Sequence, residues 1–402
     1  MPAHSKKKVS LFEVIMITAV GCLVCALNNG VRVNYGLITN AIVSATEISA
    51  SRVSFSVAIA QLLYGLAQPF FGVVALKRSN SFAIIVGTVL LACGFLLVPL
   101  CRAAWMLYLA MGLMIGGGTG AMSFGIVMSA VTPILGEKRA AFVSGIINGA
   151  GGIGGAVLAP ISQALVELGG LKALMAGLAA ISALVMAISI WLYGKEKHSA
   201  ADLAEREEEQ PKLGKVIAEA LRSRDFLHIA AAFFTCGFFM AIIETQLYSQ
   251  ILELGFSGGT AALAFTVYGV MGMIGPVIAG FLCVRLRCKW VLGTFYGLRP
   301  VAIILFLLLP KTAFSVYAFV IALGLVGNAT VPPTTNLLSK LYGFQKLGML
   351  SGFAFVFHQI GSFISTWLGG ALVSLTGGYT LIWLAGGGLA CAAAILSCTV
   401  KE

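Results

Sequence analysis

Residues 226–252 read FLHIAAAFFTCGFFMAIIETQLYSQIL, an apolar run that contains a single carboxylate, Glu244. The run is longer than the ~20 residues that an α-helix needs to cross the hydrocarbon core of a bilayer. Its apolar residues are continuous and do not alternate with polar ones, which favours a helix over a strand of a β-barrel. The stretch therefore predicts a membrane-spanning helix that carries one buried acid.

The same pattern recurs along the whole chain of 402 residues. Hydrophobic residues make up 59% of the chain and charged residues 10%, whereas soluble domains contain about 25% charged residues. Twelve stretches are long and apolar enough to span a bilayer. They cover residues 11–38, 50–75, 80–100, 104–134, 138–166, 170–194, 226–252, 259–284, 288–310, 313–340, 346–374 and 378–399. The sequence thus predicts an all-α membrane protein with twelve transmembrane helices, numbered here as spans 1 to 12.

The chain divides into two similar halves. The one long polar stretch, 195–225, predicts a cytoplasmic linker between a bundle over 1–194 and a bundle over 226–402. A shift of 207 residues aligns landmarks of the first half with those of the second. The pairs are Gly30 with Gly237, Gly65 with Gly272, Pro69 with Pro276, Gly136 with Gly343, Ser144-Gly145 with Ser351-Gly352, and Gly170 with Gly377. These pairs predict two pseudo-symmetric six-helix bundles, the architecture of a carrier that works by alternating access.

The distribution of basic residues predicts the orientation in the membrane. Of the 26 Lys and Arg residues, 20 fall in segments on the side of the N-terminus. The loops on the other side hold only Arg52, Arg102, Lys172 and Lys311. Because cytoplasmic loops are rich in Lys and Arg, we expect both termini in the cytoplasm and the protein in the cell (inner) membrane. The net charge of +11 follows from this topology and does not indicate nucleic-acid binding.

Several short motifs resemble those of a known family. They are Arg32-x-x-Tyr35-Gly36-Leu37 in span 1, Gly65-Leu66-Ala67-Gln68-Pro69-Phe70 in span 2, Tyr296-Gly297-Leu298-Arg299 in span 9, Val331-Pro332-Pro333 in span 10, and His358-Gln359-Ile360-Gly361 with Trp367-Leu368-Gly369-Gly370 in span 11. With the duplication, they are similar to the major facilitator superfamily, and within it to the bacterial monocarboxylate-transporter-like branch. The resemblance implies two six-helix bundles around a central cavity, and a small organic anion as cargo.

The loops after spans 2 and 8 depart from the superfamily pattern. That pattern places an Asp-Arg pair after span 2, whereas Gly72 is followed here by Leu76-Lys77-Arg78-Ser79, without an acid. After span 8, Gly280 is followed by Val284-Arg285-Leu286-Arg287, again without Asp. In the family such acids pair with basic groups and hold the cytoplasmic side shut, so the resemblance does not supply that latch here.

Two oppositely charged side chains fall within the spans, where an unpartnered charge costs several kcal/mol. Arg32, in the outer half of span 1, could bind a cargo carboxylate through its planar fork, pair with Glu244, or reach the membrane surface. Glu244, in span 7, could carry a proton or serve as the counter-ion of Arg32. The sequence leaves these alternatives open.

Two further ionisable groups have both a functional and a structural interpretation. His358, followed by Gln359, falls in the middle of span 11, a cavity-lining helix in the superfamily. It could relay protons, contact an anion, or hydrogen-bond a neighbouring helix. Arg299 precedes Pro300 in span 9, and the proline frees backbone carbonyls that Arg299 could satisfy. This structural role of Arg299 is favoured over direct contact with cargo.

Uncharged polar residues complete the predicted site, although such residues in spans also form hydrogen bonds between helices. The predicted substrate-binding residues are Arg32, Tyr35, Tyr64, Asn148, Gln246, Asn328, His358, Gln359 and Arg299, and the predicted proton-coupling residues are Glu244 and His358. Cys22-x-x-Cys25 lacks the second pair or His cluster of a metal site, so neither a metal nor a cofactor is expected.

The leading functional hypothesis is secondary active transport of small, monocarboxylate-like organic anions by a monomer, coupled to protons. The alternative is export of amphipathic or cationic compounds, with Glu244 as the acidic contact. A third class is a non-transporting membrane sensor. No sequence feature favours this class, since the sequence shows no appended signalling domain. The sequence holds no nucleophile–base motif or nucleotide-binding loop, so we do not expect an enzyme. The energy for transport is then expected from an ion or cargo gradient.

Overall fold

The fold is all-helical, as the sequence predicts. A computed structural model describes residues 10–135, 137–196 and 213–402, and every element within these ranges is a helix. Residues 1–9, Gly136 and residues 197–212 of the predicted linker lie outside the described residues. In the described part, ten helices are long and apolar enough to cross a membrane. Spans 5 and 6 count once among these ten because only a kink at Gly169 and Gly170 separates them, and span 11 is not among them.

The helices lie close to the predicted spans. In the first half they are Leu11–Val33 and Tyr35–Ala45 (span 1), Ala50–Lys77 (span 2), Asn80–Leu97 and Val98–Leu100 (span 3), Ala104–Leu107, Tyr108–Ile115, Gly116–Ala121 and Phe124–Leu135 (span 4), and Glu137–Glu196 (spans 5 and 6). In the second half they are Arg224–Glu253 (span 7), Gly258–Arg285 (span 8), Cys288–Leu308 (span 9), Ala313–Gly327, Asn328–Thr330 and Val331–Tyr342 (span 10), Phe344–Thr376 (span 11) and Thr380–Cys398 (span 12). A short helix, Leu213–Arg222, precedes span 7.

Span 1 differs from the prediction because it is broken at Asn34 and continues to Ala45. The Asn34 side-chain amide donates hydrogen bonds to the carbonyl oxygens of Gly30, at 2.7 Å, and Gly155, at 3.4 Å. A side chain that bonds to nearby backbone in this way competes with regular helix geometry. The break ends the first helical segment directly after Arg32.

The two halves repeat each other in backbone detail. Gly170, with φ of 61°, lies between spans 5 and 6, and Gly377, with φ of 67°, ends span 11. This left-handed conformation suits glycine, which has no Cβ. Close backbone contacts between helices also recur, Gly154 against Ala26 in the first half and Gly361 against Phe234 in the second. Both features recur at an offset of about 207 residues, as expected for pseudo-symmetric bundles.

The halves contact each other on the side of the molecule that is remote from the termini. The Tyr248 hydroxyl of span 7 donates to Gln163 Oε1 of span 5 at 2.5 Å, and the Thr266 hydroxyl of span 8 donates to Ala156 O at 2.8 Å. Gly36 permits close approach of spans 1 and 7, since a methyl group there would lie 3.0 Å from Tyr248 Cβ. This side is therefore sealed by direct contacts between the halves.

On the side of the termini, the end of the chain binds the second half. The Glu402 carboxylate accepts hydrogen bonds from the backbone N–H groups of Cys288 and Lys289, at 3.0 and 2.9 Å, and from Lys340 Nζ at 2.6 Å. Partial burial acts to raise the pKa of Glu402, but these bonds outweigh it and hold the pKa below its ordinary value. An acid thus lies beside the loop after span 8, which contains no Asp.

Candidate substrate-binding cavity

A cavity of about 860 Å³ lies between the two halves, toward the side of the termini. Spans 1, 2, 4 and 5 of the first half and spans 7, 8, 10 and 11 of the second half line it. Its apolar lining includes Phe124, Phe233, Met240, Met273 and Phe355. The volume falls within the range of about 300–1,000 Å³ typical of ligand sites. Because polar groups are few, each of them becomes a candidate for orienting a ligand.

A polar cluster at the interface of the halves joins three helices. Arg32 Nη2 of span 1 donates to Gln61 Oε1 of span 2 at 3.3 Å. Gln61 Nε2 in turn donates to Glu244 Oε2 of span 7 at 2.6 Å. Arg32 Nη2 lies 3.7 Å from the same Glu244 oxygen, and both charged residues are less than a tenth exposed. The Gln61 amide therefore bridges a buried cation of the first half and a buried acid of the second.

The pairing leaves Arg32 able to bind a further anion. The distance of 3.7 Å to Glu244 exceeds that of an ordinary hydrogen bond, about 2.7–3.2 Å. Among the described residues, Gln61 accepts the one hydrogen bond from the guanidinium, and Arg32 Nε has no partner. A guanidinium carries five N–H donors. The Tyr64 ring lies 3.9 Å from Arg32 Cζ and orients the guanidinium plane.

Aromatic rings form one wall of the cavity, which we call the aromatic wall and define as Tyr64, Phe355, His358 and Phe233. Tyr64 meets Phe355 edge to face at 5.7 Å between centroids. Phe355 stacks on the His358 imidazole at 5.2 Å, and Phe233 flanks the imidazole at 5.0 Å. His358 is 8% exposed, and its Nδ1 has no hydrogen-bond partner in the described part of the chain. The wall thus leads from Arg32 to a second polar group.

The structure brings six of the predicted residues together around the cavity. They are Arg32, Tyr64, Asn148, Glu244, Asn328 and His358. Each comes from a different helix, and three come from each half. These six residues offer a ligand a guanidinium, a carboxylate, an imidazole, a phenol and two amides.

Three predicted residues, Tyr35, Gln246 and Gln359, lie away from the cavity lining. Tyr35 is fully buried beyond the break at Asn34, on the sealed side. The other two fill space between helices, since Gln246 lies against Gly369 and Gln359 lies against Gly65. Gln359 follows His358 by one residue, so the helical rotation of about 100° per residue turns it toward span 2 instead of the cavity. These three residues are therefore not among those that line the cavity.

Arg299 is the fourth predicted residue that does not line the cavity. It is fully buried within the second half, where its Nη2 donates to Gly327 O at 2.8 Å, Thr330 Oγ1 at 3.2 Å and Val326 O at 3.3 Å. The rings of Phe239 and Tyr296 lie 4.6 and 4.7 Å from its Cζ. Among the described residues, no carboxylate lies within ion-pair distance of Arg299. Its surroundings match the structural interpretation and not contact with cargo.

The carbonyls that bind Arg299 differ from those expected. The sequence suggests carbonyls freed by Pro300 in span 9, whereas the acceptors belong to a break in span 10. There the Val331 N–H bonds to Asn328 O in a tight 3₁₀ turn, so it does not serve Gly327 O as it would in an α-helix. The Arg299 guanidinium donates to Gly327 O instead, and this bond joins span 9 to span 10.

Sequence reasoning did not single out Gln61 or Tyr268 as members of the site. Gln61 precedes Tyr64 by three residues, which places both on one face of span 2. Tyr268 lines the cavity, and the 207-residue offset makes it the counterpart of Gln61. Helical spacing combined with the internal repeat could therefore have identified both.

The described residues offer no metal centre. They contain no group of three or more His, Cys, Asp or Glu side chains placed to hold a metal ion. Cys22 and Cys25 are free thiols, and Cys25 borders the cavity.

The fold and cavity together define a class of protein, a multi-pass membrane transporter with two related six-helix halves around a central site. A family model described as Major Facilitator Superfamily matches residues 18–258 and 247–401, so the chain belongs to the Major Facilitator Superfamily. The crystal structure of a D-xylose-proton symporter superposes with a TM-score of 0.76 over 98% of each chain. At 11% identity, this similarity shows the shared fold alone.

More similar relatives include proteins named monocarboxylate transporters and bacterial MFS-type transporters. Monocarboxylate transporter 13 of Bos taurus is 25% identical over 376 residues, which cover 90% of this chain and 83% of that protein. Monocarboxylate transporter 12 of Homo sapiens is 25% identical over 79% of this chain and 67% of its own length. The uncharacterized MFS-type transporter YcxA of Bacillus subtilis is 24% identical over 84% of this chain and 83% of its own. The resemblance drawn from the sequence motifs is thereby confirmed.

Proposed function

We propose that this protein is a secondary active transporter of small organic anions of the monocarboxylate class, coupled to protons. The observation that carries the proposal is the Arg32–Gln61–Glu244 cluster between the two halves. It contains a guanidinium with free donors beside a cavity and an acid that is only loosely paired with it. The relatives named monocarboxylate transporters support the same cargo class.

Cargo and Glu244 compete for the positive charge of Arg32. A cargo carboxylate that binds the Arg32 guanidinium forms an ion pair with it and replaces Glu244 as its partner. Glu244 is only 4% exposed, so a second negative charge beside one guanidinium is unfavourable. A proton on Glu244 removes that charge, and the site keeps its net charge when one anion and one proton enter together. Anion and proton are therefore transported in the same direction.

The exchange of partners acts across the interface that must move. Arg32 and Gln61 belong to the first half and Glu244 belongs to the second. Protonated, neutral Glu244 therefore holds the two halves together less strongly than the Glu244 carboxylate does. We place the termini in the cytoplasm and the protein in the cell (inner) membrane as a monomer, because Lys and Arg are concentrated on the side of the termini. The conformation described here is then open toward the cytoplasm.

Uptake into proteoliposomes tests the proposal. Purified protein should accumulate radiolabelled lactate or pyruvate when the outside is made acidic, and Arg32→Ala should reduce uptake to that of protein-free liposomes. Arg52→Ala, which removes an exposed arginine, is the matched control and should transport normally. Glu244→Gln imitates the protonated acid, so it should retain exchange of cargo across the membrane but lose accumulation driven by the pH gradient. Normal uptake by Arg32→Ala would refute the anion anchor.

Arg32→Ala and Glu244→Gln also distinguish the proposed anion transport from the alternative, which is export of cationic compounds. A cationic substrate would depend on Glu244 and not on Arg32. The structure gives this alternative less support, because Gln61 already bonds to the Glu244 carboxylate at 2.6 Å and Arg32 lies beside it. Transport of a cation that Glu244→Gln abolishes and Arg32→Ala leaves intact would favour export.

A further inference from the structure

The aromatic wall extends the cavity lining away from Arg32. The rings of Tyr64, Phe355, His358 and Phe233 follow one another at centroid distances between 5.0 and 6.4 Å, and Arg32 lies at one end of the series. Aromatic side chains bind another ring through edge or offset-stacked contacts as well as through burial. A three-carbon acid held on Arg32 is shorter than this series of rings.

The far part of the wall ends in an unused polar group. His358 lines the cavity and is more than nine-tenths buried, and its Nδ1 is enclosed without a partner among the described residues. That arrangement leaves the Nε2 edge of the ring for the cavity. An imidazole nitrogen can donate to a carbonyl oxygen or accept from a hydroxyl, depending on its tautomer.

The wall is also shared between the two halves. Tyr64 belongs to span 2 of the first half, whereas Phe233, Phe355 and His358 belong to spans 7 and 11 of the second. A ligand that lies along the wall therefore contacts both halves, just as the Arg32–Gln61–Glu244 cluster includes residues of both halves. The cavity, at about 860 Å³, has room for a ligand of that length.

We propose that the cavity selects carboxylates that carry an aromatic ring and a distal oxygen. The carboxylate binds Arg32, the ring packs on Tyr64 and Phe355, and the distal hydroxyl or carbonyl oxygen meets His358. This inference rests on the proposed function, because it uses Arg32 as the anchor, and it specifies the body of the cargo. Aliphatic acids of three carbons then bind the same site about tenfold more weakly but are still carried.

Three acids with one head group test the inference: lactate, 3-phenyllactate and 3-(4-hydroxyphenyl)lactate. Binding to the full-length protein in nanodiscs is measured by calorimetry or by displacement of a radiolabelled acid. The ring should lower the Kd by about tenfold or more, which corresponds to about 1.4 kcal/mol, and the hydroxyl should lower it a further several-fold.

Variants assign each gain to its residue. Phe355→Leu should remove the advantage of the ring while leaving the Kd for lactate nearly unchanged, and Phe233→Leu serves if that variant does not fold. His358→Phe should remove only the advantage of the hydroxyl. Phe314→Leu, at a position that is 83% exposed, is the matched control and should change none of the three Kd values.

The outcomes separate this inference from the proposed function. Equal Kd values for the three acids, with binding lost in Arg32→Ala, would overturn the aromatic selection and leave the anion anchor intact. Equal weakening of all three acids by Phe355→Leu would also overturn it. Absence of Arg32-dependent binding for every acid would overturn the proposed function together with this inference.

Discussion

The two arginines within the spans have opposite surroundings. Arg32 borders a cavity and faces a carboxylate of the other half. Arg299 is enclosed within one half, and backbone carbonyls and a hydroxyl bind one end of its guanidinium. Backbone carbonyls neither titrate nor leave, whereas a carboxylate can take up a proton or be displaced by another anion. The kind of partner, and not the presence of a charge in a span, is the reason that Arg32, and not Arg299, is the residue proposed to bind cargo.

The largest effect on stability is expected from Arg299→Met. Loss of the guanidinium removes the buried hydrogen bonds to Gly327 O, Val326 O and Thr330 Oγ1 and should lower the free energy of unfolding by about 3 kcal/mol. Thermal unfolding in detergent, followed by size-exclusion chromatography, measures this change. Arg102→Met, at an exposed position, is the control. If Arg299→Met had the same melting temperature as the wild type, Arg299 would not have the structural role that sets it apart from Arg32.

Arg32→Lys should give the converse result. The lysine keeps the charge but loses the fork that matches a carboxylate, so KM for cargo should rise by about tenfold or more. Its melting temperature should stay close to that of the wild type, because Arg32 borders a cavity and forms few bonds. Initial rates of uptake at increasing cargo concentration measure KM. An unchanged KM, or a large loss of stability, would contradict the distinction drawn above.

Gln61→Leu sharpens the comparison at the cavity. The substitution removes the amide that joins Arg32 and Glu244, and loss of a hydrogen bond to a charged group should slow proton-driven uptake by about tenfold. Gln68→Leu on the same helix is the control, since Gln68 Nε2 has no hydrogen-bond partner among the described residues. Equal rates for the two variants would mean that Gln61 is not a part of the coupling.

The smallest effect is expected from Glu402→Gln, which probes an ion pair at the surface. The pKa of Glu402 is held below its ordinary value of 4.5, so its carboxylate stabilises the fold above pH 4.5. That contribution is lost as the pH falls through the lowered pKa of the folded state. At pH 7 the variant should be less stable by about 1 kcal/mol or less, and the difference should disappear in acid. Melting curves of the variant and the wild type, compared between about pH 3 and about pH 7, test this sign.

The apolar runs were sufficient to predict the helical fold, because span length and composition follow directly from the bilayer. The 207-residue offset likewise predicted features seen in both halves, such as the left-handed glycines Gly170 and Gly377. The pairing of Arg32 with Glu244 was also one of the alternatives predicted from the sequence, because two opposite charges in hydrocarbon are stabilised when they pair.

The details that decide which residues reach the cavity could not be predicted from the sequence. The partners of Arg299 arise from a 3₁₀ turn in span 10, which depends on packing between spans 9 and 10. Tyr35 lies on the sealed side because Asn34 breaks span 1, and an asparagine within a span does not by itself indicate a break. Such differences depend on a rotation of one residue or a shift of one turn, smaller than the precision with which an apolar run defines a helix.

The seal opposite the cavity has an energetic consequence. It includes the Tyr248–Gln163 and Thr266–Ala156 hydrogen bonds and the close contact at Gly36. Each such bond contributes only about 1 kcal/mol net, because water replaces it once the groups separate. The two hydrogen bonds of the seal therefore contribute only about 2 kcal/mol to holding this side closed. In the proposed transport cycle, these are bonds that must break before the site can open on the opposite side.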